Sequence, residues 1–298
     1  MEEYLGISFT NRSVSLARVK EGDPHPQLLS THDILYPFPF EFNALLKNEN
    51  LEALEEKLKL FVENNNLQGT LCNVSLPMFL IQMKRTPLPS DLDNRILQKQ
   101  FVWEMENINS MPIEENKFIK LGHEFSFGSY EESVFVLIQK KIIETLRQFI
   151  ENCGLQLKKM VLDSDTMLKY LQKFNLLHPA KNQIVFQIDV FSITIYHYLD
   201  GNFFSYDLSS ITEMAGENTF EQKVIKILKE KVDKFQQLVN GLPGYEYPVE
   251  VYVTRLITDN LSKKLKEELQ YSVEELTLNR VLEDETSAKN IEPFAVML

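Results

Sequence analysis

Between Asn182 and Asp207 the chain reads NQIVFQIDVFSITIYHYLDGNFFSYD, which is three short strands in immediate succession. Ile184–Asp189 is an apolar run that ends in a carboxylate. Ile193–Leu199 alternates, Asp200-Gly201 supplies the left-handed turn residues of a tight hairpin, and Asn202–Leu208 runs back. A long amphipathic helix follows, with Phe220, Val224, Ile227, Leu228, Phe235 and Leu238 as its apolar stripe, and Gly241-Leu242-Pro243-Gly244 ends it before a strand at Val249–Thr254. The same order of elements stands near the start of the chain. Tyr4–Phe9, Val14–Lys20 and Gln27–Tyr36 read as strands, about Asn50–Asn64 as a helix, and Leu71–Leu76 as the returning strand. The copies share no letters worth aligning, so the repeat lives in pattern. Any fold for this chain must hold two units of strand, strand, strand, helix, strand.

A different piece separates the copies. Phe79–Thr86 is strand-like and closed by Pro87-Leu88-Pro89, and Ser90-Asp91-Leu92-Asp93 opens a helix. Lys117–His123 and Ser133–Ile138 read as strands. A helix over Lys140–Asn152 carries Ile142, Leu146, Phe149 and Ile150 on one stripe and stops at Gly154. Leu157–Leu162 is a last strand, and Asp163–Phe174 a linking helix. The expected organisation is a first lobe of residues 1–77 with 163–180, an inserted α+β subdomain of residues 78–162, and a second lobe of residues 181–298.

Composition narrows the function classes. The chain has 298 residues, ample for real cores. Its net charge is −12 and no basic run exceeds a few residues, which argues against nucleic acid, whose phosphates need clustered Lys and Arg. Cys72 and Cys153 lie far apart among apolar neighbours, the usage of a reducing compartment. The segment MEEYLGIS lacks a signal-peptide pattern, and no apolar run approaches the roughly 20 residues of a membrane span. The expected location is cytoplasmic.

Three stretches carry a resemblance. LPMFLIQMKRTPLPSDLDNRILQKQFVWEMENINSMPIEE (Leu76–Glu115), ESVFVLIQKKIIETLRQFIENCGLQLKKMVLDSDTML (Glu132–Leu168) and FQIDVFSITIYHYLDG (Phe186–Gly201) stand in the order found in the actin-like ATPase superfamily. Within it they resemble the PilM-like type IV pilus assembly proteins, relatives of the division protein FtsA and of the cytoplasmic part of the secretion protein GspL. The resemblance implies an α/β, actin-like (ribonuclease H-like) duplicated two-lobe fold with an α+β insert subdomain in the first lobe.

It also implies where a nucleotide would sit, on three glycine-bearing turns whose backbone N–H groups approach the phosphates. The family's first turn runs Gly-Ile-Asp-Ile-Gly-Ser-Ser-Ser; this chain has Gly6-Ile7-Ser8-Phe9-Thr10-Asn11-Arg12-Ser13, with Ser8 at the metal-side carboxylate and Thr10 at the loop glycine. The second would read Asp-Leu-Gly-Gly-Gly-Thr; here Asp189-Val190-Phe191-Ser192-Ile193-Thr194 keeps only its ends. The third, a Gly-Gly, falls at Val253-Thr254-Arg255-Leu256. Ser8, Thr10, Asp189, Thr194 and Thr254 are thus vestigial positions, and neither ATP nor Mg is expected as a cofactor. Phe191 and Ile193 are expected to fill the emptied cleft. Asp189 and Thr194 can be read as remnants that still hold a metal or water, or as a turn-capping Asp and a Thr on a β surface.

Other chemistry is sparse. His25, His32, His123, His178 and His197 show no metal-ligand spacing, and Glu104 with Glu106 reads as a solvated helix face. Along Asp91–Asn107, Leu97, Phe101, Met105 and Ile108 cluster on one side of a helix and Leu92, Ile96 and Trp103 on the other. One side covers the small sheet; the other packs on the first lobe or lines a partner groove. PilM-like proteins hold the cytoplasmic tail of a single-span inner-membrane partner beside this insert. The resemblance therefore implies a non-catalytic scaffold peripheral to the inner membrane, binding such a tail and other pilus or secretion platform proteins. The enzyme alternative is an actin-like ATPase or sugar-kinase relative with a reworked cleft.

Overall fold

The computed structural model describes residues 3–10, 13–22, 26–35, 48–88, 96, 99–100, 102–103, 106, 113–127, 130–189, 191–211, 219–255, 259–269, 271–276 and 291–298. Strands β1 (Glu3–Phe9), β2 (Ser13–Lys20) and β3 (Gln27–Leu35) form an antiparallel meander. Helix α1 (Asn48–Asn64) crosses over to β4 (Leu71–Leu76), which lies parallel to β1. In the second half β9 (Asn182–Ile188), β10 (Ser192–Leu199) and β11 (Asn202–Ser210) repeat the meander. There α4 (Phe220–Asn240) crosses over to β12 (Val249–Arg255), parallel to β9.

The two sheets have the orders β3-β2-β1-β4-β8 and β11-β10-β9-β12-β13, with β8 (Gln156–Leu162) and β13 (Val273–Glu275) as matching outer strands. The repeat extends to single hydrogen bonds. The amide of Thr10 donates to Ser13 O at 2.9 Å, and that of Asp189 to Ser192 O at 2.8 Å.

A third sheet, order β5-β7-β6, is built from β5 (Gln82–Leu88), β6 (Asn116–Ser126) and β7 (Glu131–Gln139). Two expectations change here. The chain after Pro77 makes a short 3₁₀ turn, Met78–Leu80, before β5, because the buried Met78 and Leu80 both turn into the core. The last strand of the expected insert belongs elsewhere: β8 pairs in parallel with β4. Helix α2 (Lys140–Asn152) packs against both β7 and β8 and so carries the chain back to the first sheet. The insert's own sheet therefore ends at Gln139, well before residue 162.

Helix faces follow burial more closely than letter counts do. The α2 stripe is Ile142, Leu146, Phe149 and Ile150, as read, and Gly154 (φ +80°) supplies the left-handed residue after it. In α4 the buried residues are Val224, Ile225, Leu228, Val232, Phe235 and Val239. Phe220 and Leu238 are 36% and 42% exposed: Phe220 is the helix's first residue, and Leu238 lies beside the buried Val239 near its end. Thr219 and Gln222 close a capping box at its start.

Three contacts join the halves. Helix α3 (Asp163–Lys173) leaves β8 and packs on β11. The insert meets the second sheet through aromatic rings. Phe125 lies edge-on to Phe204 at 5.1 Å, Phe127 is 5.5 Å from Tyr245, and the Arg85 guanidinium stands 4.0 Å over the Phe204 ring. The Tyr245 and Tyr206 hydroxyls tie the same seam, to Ser126 N (3.3 Å) and Ile81 O (3.2 Å).

Finally, α6 (Glu292–Ala295), which follows α5 (Asp259–Glu268) in the described chain, returns to the first sheet and packs on β1, β2 and β4. A Cβ on Gly6 would sit 1.6 Å from Pro293 O, so the absence of a side chain at Gly6 serves this close approach. Residues 291–298 thus pack with the first lobe, although the sequence assigned them to the second.

Candidate functional site

The ends of β9 and β12 lie side by side in the second sheet, and the start of α3 reaches that sheet through Asp163, while Ser8 and Thr10 hold the matching turn of the first sheet. Ser8, on β1, is 2% exposed, and its hydroxyl has no hydrogen-bond partner among the described residues. Thr10 is occupied within its own turn: its Oγ1 accepts from Ser13 N at 2.9 Å and lies 3.1 Å from Ser13 Oγ. Asn11 and Arg12 lie outside the described residues.

Asp189 closes the equivalent turn in the second half. Its carboxylate lies 4.0 Å from the guanidinium of Arg255, which is only 7% exposed. Arg255 ends β12 at φ +77°, the left-handed conformation that the third glycine turn would need, here adopted by an arginine. Thr254 before it is fully buried, and its hydroxyl too has no partner among the described residues. Thr194 is half-buried on β10 between Gln187 and Leu208, the position of a β-surface threonine. The structure therefore brings Asp189 to Arg255 and leaves Thr194 as sheet.

Across the seam a second polar group completes a knot. The Tyr196 hydroxyl donates to Asp163 Oδ2 at 2.5 Å and sits 3.0 Å from Gln187 Oε1. Asp163 begins α3, so this bond runs from the first half of the chain to the sheet of the second. Burial pushes the Tyr196 phenol well above its ordinary pKa, and the Asp163 charge adds to that, while Arg255 works the other way. The tyrosine stays neutral, and its proton faces the carboxylate. Two carboxylates and one guanidinium are thus gathered in an enclosed seam, where a charge left without its partner is strongly destabilising.

Phe191 corrects one expectation. It is 55% exposed and so does not fill the cleft, and its carbonyl accepts from Ile211 N at 2.7 Å. Ile193 is fully buried, as expected of a core strand residue. Arg255 and Asp163 are the site residues that sequence reasoning missed. Arg255 stands inside the third turn, Val253-Thr254-Arg255-Leu256, and its type, a lone cation beside an apolar strand, is the available signal. Nothing in the local sequence marks Asp163 as the partner of Tyr196.

Among the described residues no group of three or more His, Cys, Asp or Glu could hold a metal. The histidines have other surroundings: His32 stacks on Phe61 at 4.7 Å, His123 meets Phe125 edge-on, and His197 Nδ1 is 2.9 Å from Ser205 Oγ beside Phe235. Burial first, with lesser effects from Lys231 and Arg85, pushes His197 down to about 4. His25 and Glu104 lie outside the described residues, and Glu106 is exposed.

On the insert, Ile96 and Trp103 are 52% and 64% exposed and Val102 is 36% exposed. Phe135 and Leu137, on the opposite face of β7 from the main core, form a small separate cluster with Phe118. Leu92, Leu97, Phe101, Met105 and Ile108 lie outside the described residues.

These sheets and their duplication define the class: the chain has the actin-like ATPase fold, in the two-lobed form with an insert. No family model matches the sequence, and no curated protein matches it. Solved structures do. The PilM–PilN type IV pilus biogenesis complex matches over 98% of this chain and 96% of that one, with a TM-score of 0.67 at 14% identity. The cytoplasmic domain of EpsL, an inner-membrane component of the type II secretion system of Vibrio cholerae, matches over 96% and 97%, with a TM-score of 0.55 at 10% identity. A protein of actin-like ATPase fold and unknown function from Bacteroides thetaiotaomicron matches over 100% and 96%, with a TM-score of 0.53 at 13% identity. No helix among the described residues is long and apolar enough to cross a membrane.

Proposed function

We propose that this chain is a non-catalytic actin-like scaffold in an inner-membrane assembly platform of the type IV pilus or type II secretion kind. In that role it works on the cytoplasmic face and holds the cytoplasmic tail of a single-span membrane partner, together with other platform proteins. The observation that carries the non-catalytic part is the Asp189–Arg255 pair. Asp189, which could otherwise serve as a remnant holding a metal, instead stands 4.0 Å from a guanidinium. Arg255 also stands in place of a glycine where backbone must approach the ligand. The residues present do not fit a Mg-nucleotide. Full-length likeness to the PilM–PilN and EpsL structures supports the platform role. The exposed Ile96, Val102 and Trp103 supply an apolar surface on the insert for the tail.

Titration calorimetry with Mg-ATP tests the first part: no heat is expected, and micromolar binding overturns it. For the second part, synthetic cytoplasmic tails of single-span proteins encoded beside this gene are titrated by fluorescence polarisation. Binding that Trp103→Ala weakens supports the assignment. Failure of every such tail overturns it.

A second reading, an ATPase or sugar-kinase relative with a reworked cleft, rests on the buried Ser8 and Thr254 hydroxyls, which have no partner among the described residues. Measurable ATP turnover abolished by Asp189→Asn is its signature.

A further inference from the structure

Sheet edges invite pairing with other chains, and proteins blunt them with lysine, proline, shortness or cover. Five of the six edge strands here are blunted. β8 carries Lys158 and Lys159, β6 carries Lys117, Lys120 and Glu124, and β5 carries Lys84, Arg85 and Pro87. β13 has three residues, and β11 lies against α3 and is bonded through Tyr206 to the insert.

Among the described residues β3 has none of these devices. Its nine residues, QLLSTHDIL, include no Lys, Arg or Pro, and residues 29–33 are exposed in succession. The carboxylate of Asp33, its one acid, accepts from Ser15 Oγ on the neighbouring strand at 2.5 Å. Among the described residues β3 is paired on the β2 side only.

A groove adjoins this edge. Between β3 and α1 lies a cavity of about 530 Å³, walled in part by His32, Leu35, Lys57, Leu60 and Phe61. Leu35 and Leu60 are 56% and 52% exposed. Lys57 is the one charged residue of its described wall, in a chain of net charge −12. Its ammonium donates to Leu35 O at 2.8 Å, which places it at the end of β3 with two donors left over.

We propose that β3 and this groove take an extended segment of a partner protein that adds to the sheet as a sixth strand. The segment's backbone continues the β3 ladder, an aliphatic side chain enters the cavity between Leu35 and Leu60, and a carboxylate meets Lys57. Charge at the groove selects this occupant: Lys57, the one charged residue of its described wall, favours an acidic segment over a neutral or basic one. The surface lies on the edge of the first sheet away from β8, separate from the insert face assigned to the tail, and stands whether or not that assignment does.

The test uses the full chain and a short fluorescein-labelled peptide alternating threonine and valine and ending in aspartate. Two matched controls carry lysine for aspartate, or N-methylated backbone amides. The acidic peptide is expected to raise polarisation and slow hydrogen exchange across Gln27–Leu35. The lysine peptide is expected to bind about fivefold more weakly, and the N-methylated one not at all. Lys57→Glu, an exposed change that leaves the melting curve intact, is expected to reverse the charge preference. Equal binding of all three peptides, protection elsewhere than β3, or no change in preference with Lys57→Glu overturns the proposal. So does sedimentation as a dimer that the acidic peptide leaves untouched.

Discussion

Two seams hold the halves of this molecule together, and they are chemically opposite. One is the polar knot of Asp163, Tyr196, Gln187, Asp189 and Arg255; the other is the aromatic seam of Phe125, Phe127, Phe204 and Tyr245 under Arg85. The aromatic seam draws its stability from buried area and tolerates small shifts. The knot is directional and tolerates almost none, because a buried charge that loses its partner costs several kcal/mol. Together they make opening expensive in two ways.

The comparison can be broken at its strongest point first. Phe204→Ala removes a fully buried ring that meets Phe125, Phe127 and Arg85, and is expected to lower stability by about 3–5 kcal/mol in urea unfolding. Arg255→Leu removes the guanidinium that stands 4.0 Å from the Asp189 carboxylate and should cost about 3 kcal/mol. Adding Asp189→Asn should restore part of that loss, and a double-mutant cycle that shows strict additivity would remove the pair from the account.

Smaller effects sharpen the contrast. His197, behind the second sheet, has a pKa of about 4 against an ordinary 6.5, so the unfolded chain takes up the proton first. Stability should therefore fall as pH drops from 6.5 towards 4, by about 3 kcal/mol, and change no further from this group below that. His197→Gln should flatten that slope. Tyr196→Phe removes one bond to a buried carboxylate and should cost about 2 kcal/mol. Least of all, burial pushes the Cys72 and Cys153 thiols up to about 12, so alkylating reagents at mildly alkaline pH should leave the native chain unlabelled. Labelling at the rate of global unfolding, and no faster, would show that the seams open together.

Local elements were legible in the sequence to within a residue or two. Leu71–Leu76, Lys140–Asn152 and the Asp200-Gly201 turn are where the pattern puts them, because hydrophobic period and turn chemistry act over a few residues. Partnership was not legible. β8 reads as any short apolar strand, and only its parallel register with β4 moves it out of the insert. The α4 stripe slipped for a related reason: Leu238 and Val239 are equal as letters and differ only in what lies opposite them. At the site, glycine losses were visible one by one. The salt bridge that replaced them joins residues 66 positions apart, and no local rule connects these.

Gly6 and Pro293 carry one last consequence. During synthesis β1 leaves the ribosome long before the segment that lies on it, so the earliest sheet waits, half-covered, for its lid. A nascent chain stalled before residue 291 should therefore expose the Gly6 face to chaperones, and emergence of residues 291–298 is a topological event as well as a translational one.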